Sequence, residues 1–197
     1  MSYGCQTIPL PNEPIRSVTS SLNSDTIPGA AGVAHAFLWR ASTGTRDLGT
    51  LGGSLSGAYA INNGGQVVGW STMPDNVTLH AFVWSAVDGM RDLGTLGGTG
   101  ATEARSINDA GQVVGGSGVP GNPESHAFLW TASAGMRDLG TLGGSYSIAT
   151  SQLGRVVGYS VNAPLGSALL WTPTDGIEDL HACALSSWRL GGDVAGE

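Results

Sequence analysis

Short apolar runs recur along most of the chain, and turn-forming residues separate them. In "HAFVW" (residues 80–84) the aromatic side chains alternate with Ala81 and Val83, so both faces of a strand would be apolar. Such a strand is typical of a sheet that is covered on both sides. The separating segments, such as "NNGG" and "NDAG", supply the Asn and Gly that tight hairpin turns require. Helical periodicity is absent, so the pattern predicts an all-β protein.

The same runs return at a nearly constant interval, which identifies an internal repeat. "HAFLW" or "HAFVW" begins at His35, His80 and His126, and becomes "SALLW" at residues 167–171. The octapeptide "RDLGTLGG" occurs unchanged at residues 46–53, 91–98 and 137–144. A third string, "INNGGQVVG" at residues 61–69, returns as "INDAGQVVG" at 107–115. These strings follow one another in a fixed order, so each repeat is one structural unit.

Each unit contains four short β-type runs within about 45 residues, which suits one blade of a β-propeller. We predict a single all-β propeller over residues 1–197, with about five four-stranded blades and four blades as the alternative. The units span residues 16–53, 54–98, 99–144 and 145–185, and a partial unit, 186–197, would be closed by residues 1–15. This closure would bring Cys5 and Cys183 near the composite blade, and it leaves their pairing open.

The three strings resemble the HAF-repeat family of bacterial, often extracellular, repeat proteins. The resemblance covers about residues 35–160 and depends on three signatures in a fixed order. It implies a repeat architecture and an extracellular or periplasmic location. It carries no assigned reaction, so the function is left open.

Charge and composition exclude some classes of partner. All eight basic residues are Arg and the formal net charge is −7, which argues against nucleic acid as a ligand. No run of 18 apolar residues is present, so we expect no membrane span. The first residues, "MSYGCQTIPLPNEP", lack the basic and apolar regions of a signal peptide.

The octapeptide is predicted to build the fold, because a catalytic group is seldom needed at equivalent places around a ring. In each hairpin the histidine of "HAF" lies opposite the "RDLGT" segment, so His80 is expected to bond with the segment that begins at Asp92. A shared zinc site is not expected, because the three histidines would lie on separate blades, too far apart for one ion.

Candidate binding residues lie in the variable segments after the "QVVG" strands, at the same end of the blades as "TLGG". Variable loops on a rigid scaffold are where binding usually occurs. The candidates there are Asp75, Asn76, Asn122 and Glu124. We expect the leading function to be a non-catalytic binding module that presents these loops to a protein or carbohydrate ligand.

A charged pair in the inner strand of the third unit supports a different hypothesis. Glu103 and Arg105 replace Gly57 and Tyr59 of the preceding unit, and charges near a propeller axis need a partner. Arg105 is the favoured partner of Glu103, and both are also candidate ligand-binding residues. The alternative is a calcium-dependent hydrolase of lactones or esters, in which Glu103 is the candidate catalytic group and binds calcium with Asn62 and Asn108.

Overall fold

The computed structural model describes residues 18–22, 33–152, 155–162 and 165–180, which form antiparallel sheets joined by turns and loops. The first sheet contains β1 (Val18–Leu22), β2 (His35–Arg40) and β3 (Gly44–Asp47). The second contains β4 (Ser56–Ile61), β5 (Val67–Thr72), β6 (Leu79–Ser85) and β7 (Gly89–Asp92). The third contains β8 (Thr102–Ile107), β9 (Val113–Val119), β10 (Asn122–Thr131) and β11 (Gly135–Gly140). The fourth contains β12 (Tyr146–Gln152), β13 (Val156–Asn162), β14 (Leu165–Thr172) and β15 (Gly176–Asp179).

The three complete sheets are antiparallel meanders, in which each strand pairs with the next strand of the chain. The prediction of an all-β protein with four-stranded sheets is confirmed. The inner strands β4, β8 and β12 pack side by side, and β1 packs against β4. The sheets therefore converge at their first strands, the arrangement expected around a propeller axis.

The core lies between successive sheets and contains a leucine and a tryptophan at equivalent positions of each junction. Leu48, Leu93 and Leu139, the leucines of the octapeptide, are buried there against the following sheet. Each packs in a cluster with the tryptophan of that sheet, which is Trp84, Trp130 or Trp171. Both faces of an interior sheet are covered in this way, as the two-sided apolar pattern predicted.

The first half of the octapeptide joins one sheet to the next. The guanidinium carbon of Arg46 lies 4.8 Å from the centroid of the Trp84 ring in the following sheet. Arg91 and Arg137 stack in the same way on Trp130 and Trp171, at 5.5 and 5.1 Å. Such cation–π contacts contribute about 0.5–1 kcal/mol each at exposed sites.

The second half of the octapeptide returns the chain to the inner strand. The Thr50 hydroxyl donates to the carbonyl of Gly53 and accepts from the amide of Gly52, which closes a tight turn. The Leu51 amide donates to the Ser71 hydroxyl at the start of this turn. Because each part of the string makes a structural contact, the prediction that it builds the fold is confirmed.

The predicted bond between "HAF" and "RDLG" is also present. The Nδ1 atoms of His35, His80 and His126 lie 2.8–2.9 Å from carboxylate oxygens of Asp47, Asp92 and Asp138. These carboxylates are about two-fifths exposed to solvent rather than buried. Each pair therefore contributes less than about 1 kcal/mol, in the range of surface ion pairs.

A β-bulge in each inner strand explains the invariant glycine of "QVVG". The pairing register shifts between Ala58 and Ala60, between Ala104 and Ser106, and between Ala149 and Ser151. The bulged backbone presses on the neighbouring strand, so that a Cβ atom on Gly115 would lie 1.9 Å from the carbonyl oxygen of Glu103. Cβ atoms added to Gly69 and Gly158 would lie 1.9 and 2.0 Å from carbonyl oxygens of their inner strands. Only glycine fits at these three positions.

Several predictions concern residues outside the described part of the chain. The composite blade of residues 1–15 and 186–197 lies there, as do Cys5 and Cys183. The number of blades and the pairing of these cysteines therefore stay predictions.

Candidate functional site

The variable loop between β5 and β6 lies beside the "TLGG" turn, at the end of the second sheet where the sequence predicted it. The Gly53 amide donates to the carbonyl of Thr72, and the Ser54 amide donates to the side-chain oxygen of Asn76. This contact places a variable loop on a turn that the chain repeats three times. The loop is thereby attached to the rigid part of the sheet.

Asp75 holds this loop in one conformation. One carboxylate oxygen accepts hydrogen bonds from the amides of Val77 and Thr78 at 2.9 Å, and the other accepts one from the Thr78 hydroxyl. The Thr78 hydroxyl, followed by these two amides, lowers the pKa of Asp75 below its usual value of 3.8. Asp75 therefore shapes the loop from within, and its carboxylate is already hydrogen-bonded.

Acid titration should test this role of Asp75. Because its pKa is lowered in the folded state, its contribution to stability is present above the unfolded-state pKa and is lost as the pH falls through the folded value. We expect NMR titration to place the Asp75 midpoint below 3.8, and Thr78→Val to raise that midpoint toward 3.8. A midpoint that Thr78→Val leaves unchanged would contradict this hydrogen-bond network.

Asn76 and Val77 form the tip of the same loop. Asn76 has a positive φ of 55°, a conformation that Asn tolerates better than most residues. Its side-chain oxygen is occupied by the Ser54 amide at 2.7 Å. Val77 follows, and 82% of its surface is exposed. Val77 thus adds an apolar side chain to the exposed residues of this loop, and the sequence analysis did not single it out.

The loop between β9 and β10 occupies the same end of the third sheet. A Cβ atom on Gly97 would lie 3.4 Å from Pro120, as one on Gly52 would lie 3.0 Å from Pro74, so both loops approach a "TLGG" turn. Asn122 begins β10, and its side chain lies outside the described part of the structure. The Glu124 carboxylate accepts a hydrogen bond from the Ser145 hydroxyl at 3.0 Å.

Glu103 and Arg105 form an ion pair on the inner strand of the third sheet. Arg105 Nη2 donates to Glu103 Oε2, which is the pairing that the sequence analysis favoured. The guanidinium carbon of Arg105 also lies 4.5 Å from the centroid of the Tyr59 ring on the second sheet. Tyr59 and Arg105 are the extra residues of their two bulges. The bulges thus bring the pair and the ring together near the axis.

Asn62 and Asn108 have a structural role in the hairpin turns at the opposite end of the inner strands. The side-chain oxygen of each accepts from the amide of Gln66 or Gln112, and its amide group donates to the side chain of the same glutamine. Asn62 also donates to the carbonyl of Asn108 in the next sheet, at 2.9 Å. These bonds lock the turns to one another.

A second link between these turns was not predicted from the sequence. Asp109 accepts hydrogen bonds from the backbone and side-chain amides of Asn63, at 2.9 and 2.7 Å. These two bonds lower the pKa of Asp109 below its usual value. The sequence signal was the appearance of Asn63 and Asp109 at equivalent places of "NNGG" and "NDAG".

The structure does not bring together the oxygen ligands that were considered for calcium. Glu103 lies within β8, whereas Asn108 follows the end of that strand, five positions later, more than about 10 Å away at the usual rise per residue even with the bulge. Ligands of one calcium ion must all lie within about 2.6 Å of it. Within the described residues no three His, Cys, Asp or Glu side chains are grouped so that they could hold a metal.

Comparisons with known proteins bear on the fold alone. No protein-family model matches this chain, and no curated protein matches it. The putative TolB from Agrobacterium tumefaciens is 15% identical, with a TM-score of 0.55 over 76% of this chain and 57% of that one. TolB from Acinetobacter baumannii is 14% identical, with a TM-score of 0.56 over 83% of this chain and 43% of that one.

Both of these solved structures are β-propellers, and the likeness supports the propeller fold for this chain. The chain spans about half the length of each. No helix long and apolar enough for a membrane span occurs in the part of the chain that the structure describes.

Proposed function

We propose that this chain is a non-catalytic β-propeller binding module of an extracellular or periplasmic HAF-repeat protein, which presents its variable loops to a protein or carbohydrate ligand. The observation that supports this function is the β5–β6 loop. The Asp75 carboxylate and the side-chain oxygen of Asn76 accept hydrogen bonds within the protein, while 82% of the Val77 surface is exposed.

A loop that is ordered before binding loses less conformational entropy when a ligand arrives. An exposed apolar tip on such a loop can be buried by a partner, and this favours a protein ligand over a carbohydrate. The net charge of −7 further disfavours polyanionic partners. The repeated strings take no part in this site, because their side chains are used for contacts between strands and sheets.

The test is a binding screen with two matched variants. The folded protein is screened against an array of secreted and periplasmic proteins and a second array of neutral oligosaccharides, and each interaction is measured by calorimetry. Val77→Asp should weaken the specific interaction at least about tenfold, because it charges a residue at the interface. Val87→Asp changes an equally exposed valine in the turn at the opposite end and should have no effect. Equal effects of the two variants, or no specific ligand, would contradict the proposal.

The calcium-dependent hydrolase is tested separately at Glu103. Because Arg105 is its partner, Glu103→Gln should lower the free energy of unfolding by about 1 kcal/mol, after allowance for a pair that is partly exposed. Calcium should leave the melting temperature of both forms unchanged, and no lactone or ester turnover should appear with or without chelator. Glu124→Gln, which alters a carboxylate outside the inner strand, is the control. Calcium-dependent turnover that Glu103→Gln abolishes would instead support the hydrolase.

A further inference from the structure

The three junctions between successive sheets share one design. The earlier sheet contributes the octapeptide leucine and an arginine, and the later sheet contributes a buried tryptophan. A buried phenylalanine precedes this tryptophan by two positions in the first two junctions, and Leu169 does so in the third. At these junctions Leu48, Leu93 and Leu139 are 5–6% exposed. The outer faces of the first and fourth sheets carry residues at the same positions of the repeat.

The outer face of the fourth sheet is apolar and exposed. Leu180, the counterpart of the three buried leucines, is 38% exposed. Val157 is also 38% exposed, although its counterparts Val68 and Val114 are completely buried. Side chains two positions apart on a strand share a face, so Val161 lies on this face with Val157. The fourth sheet therefore carries the earlier half of a junction, without a following sheet in the described structure.

The outer face of the first sheet is the later half of such a junction. Phe37 and Trp39 are only partly buried, whereas Phe82 and Trp84 are almost completely buried at the same positions. Among the described residues no arginine stacks on Trp39, although one stacks on the tryptophan of each of the other three sheets. One chain thus carries both halves of a fourth junction.

Two substitutions make these halves complementary to each other. Glu178 of the fourth sheet stands where Arg46, Arg91 and Arg137 stand in the earlier sheets. Thr45, the strand partner of Trp39, stands where Met90, Met136 and Ile177 stand in the later sheets. In the three junctions an arginine stacks on a tryptophan whose strand partner is apolar. The Glu178 carboxylate would instead need a hydrogen-bond donor in this place. In a fourth junction of the same design, the Thr45 hydroxyl would supply such a donor next to Glu178.

The two halves do not meet in the part of the chain that the structure describes. In the described structure no strand of the first sheet packs closely against a strand of the fourth. We propose that the outer face of the fourth sheet binds the outer face of the first sheet in a second copy of this chain, so that two copies close one ring. The second copy is the partner that carries the matching Phe37, Trp39 and Thr45.

This arrangement covers the outer face of the first sheet and the outer face of the fourth sheet in both copies. Each copy uses its fourth sheet on its partner's first sheet, which gives two identical junctions related by a two-fold axis and leaves no sheet face open. The described residues of two copies contribute eight sheets, the upper end of the four to eight blades usual in propellers. The surface consists of sheet faces, so it is separate from the loops of the proposed ligand site.

Self-association is the first test. Sedimentation equilibrium should show a dimer of the full chain between about 1 μM and 1 mM. Val161→Glu and Thr45→Glu should each weaken it at least about a hundredfold, because each places an unpaired carboxylate in both junctions. Val87→Glu and Thr99→Glu, which change exposed residues elsewhere, should leave the dimer unchanged. Circular dichroism establishes that each variant retains its β structure.

Mixing the two variants tests whether different faces meet. In a mixed dimer both substitutions fall in one junction, and the other junction is unaltered. The mixture should therefore dimerise at least about tenfold more tightly than either variant alone, as measured by native mass spectrometry with one isotope-labelled variant. A protein that stays monomeric throughout would overturn the proposal and favour closure within the chain. So would a mixture no tighter than its components, which indicates that like faces pair.

Discussion

Phe82→Ala is expected to lower the free energy of unfolding by about 3–5 kcal/mol, the usual cost of emptying a buried aromatic site. Phe82 is completely buried between the first and second sheets, in one cluster with Leu48 and Trp84. The sheets on either side are tied by backbone pairing and cannot collapse into the space. Urea denaturation of the folded protein measures the loss.

Phe37→Ala is the matched control for this prediction. Phe37 has the same place in the "HAF" string, but it lies on the outer face of the first sheet and is only partly buried. In dilute protein, where the proposed dimer is dissociated, its replacement should cost less than half as much as that of Phe82. Equal losses would mean that the outer face of the first sheet is covered within the single chain.

Gly115→Ala is expected to destabilise the protein by about 3 kcal/mol or more, because overpacking against backbone is relieved only by moving a strand. The added Cβ atom would lie 1.9 Å from the carbonyl oxygen of Glu103 and 3.0 Å from the Cα atom of Ala104. Both atoms belong to the bulged strand β8, whose position is fixed by the sheets that it contacts on both sides. The loss is read from thermal and urea unfolding.

The adjacent glycine provides the comparison. A Cβ atom on Gly116 would lie 3.3 and 3.4 Å from two atoms of the Ile148 side chain, which can move slightly, and 3.5 Å from the Cβ atom of Ser125, an ordinary van der Waals distance. Gly116→Ala should therefore cost less than about 1 kcal/mol. If the two variants were equally stable, the inner strand would not carry the tight bulge described above.

Much of the fold followed from the sequence, because it depends on local order. Alternation within "HAFVW" and the glycine-rich turns predicted four strands in each unit, and the strict order of the strings predicted equivalent sheets. The pairing of His80 with Asp92 followed as well, because a short hairpin fixes which residues are opposite. The ion pair of Glu103 and Arg105 could also be predicted from the sequence, since the two residues lie two positions apart on one strand.

Other features of the fold and of the candidate site could not be predicted. They depend on contacts between sheets and on which hydrogen-bond partner each polar side chain has, and a repeat pattern shows neither. Register shifts at the bulges bring Arg105 over Tyr59, and Arg46 reaches Trp84 only because successive sheets face each other. Asp75 and Asn76 were predicted to be available as loop residues, but their side-chain oxygen atoms accept hydrogen bonds from amides and a hydroxyl group of the protein. Asn62 and Asn108 stabilise hairpin turns through hydrogen bonds to Gln66 and Gln112. Both turns follow the ends of the inner strands, whereas Glu103 lies near the start of β8. The sequence by itself thus determined the repeated sheet and its local pairs. Only the tertiary structure decided which polar groups are used and which apolar faces remain exposed, because both depend on how the sheets pack together.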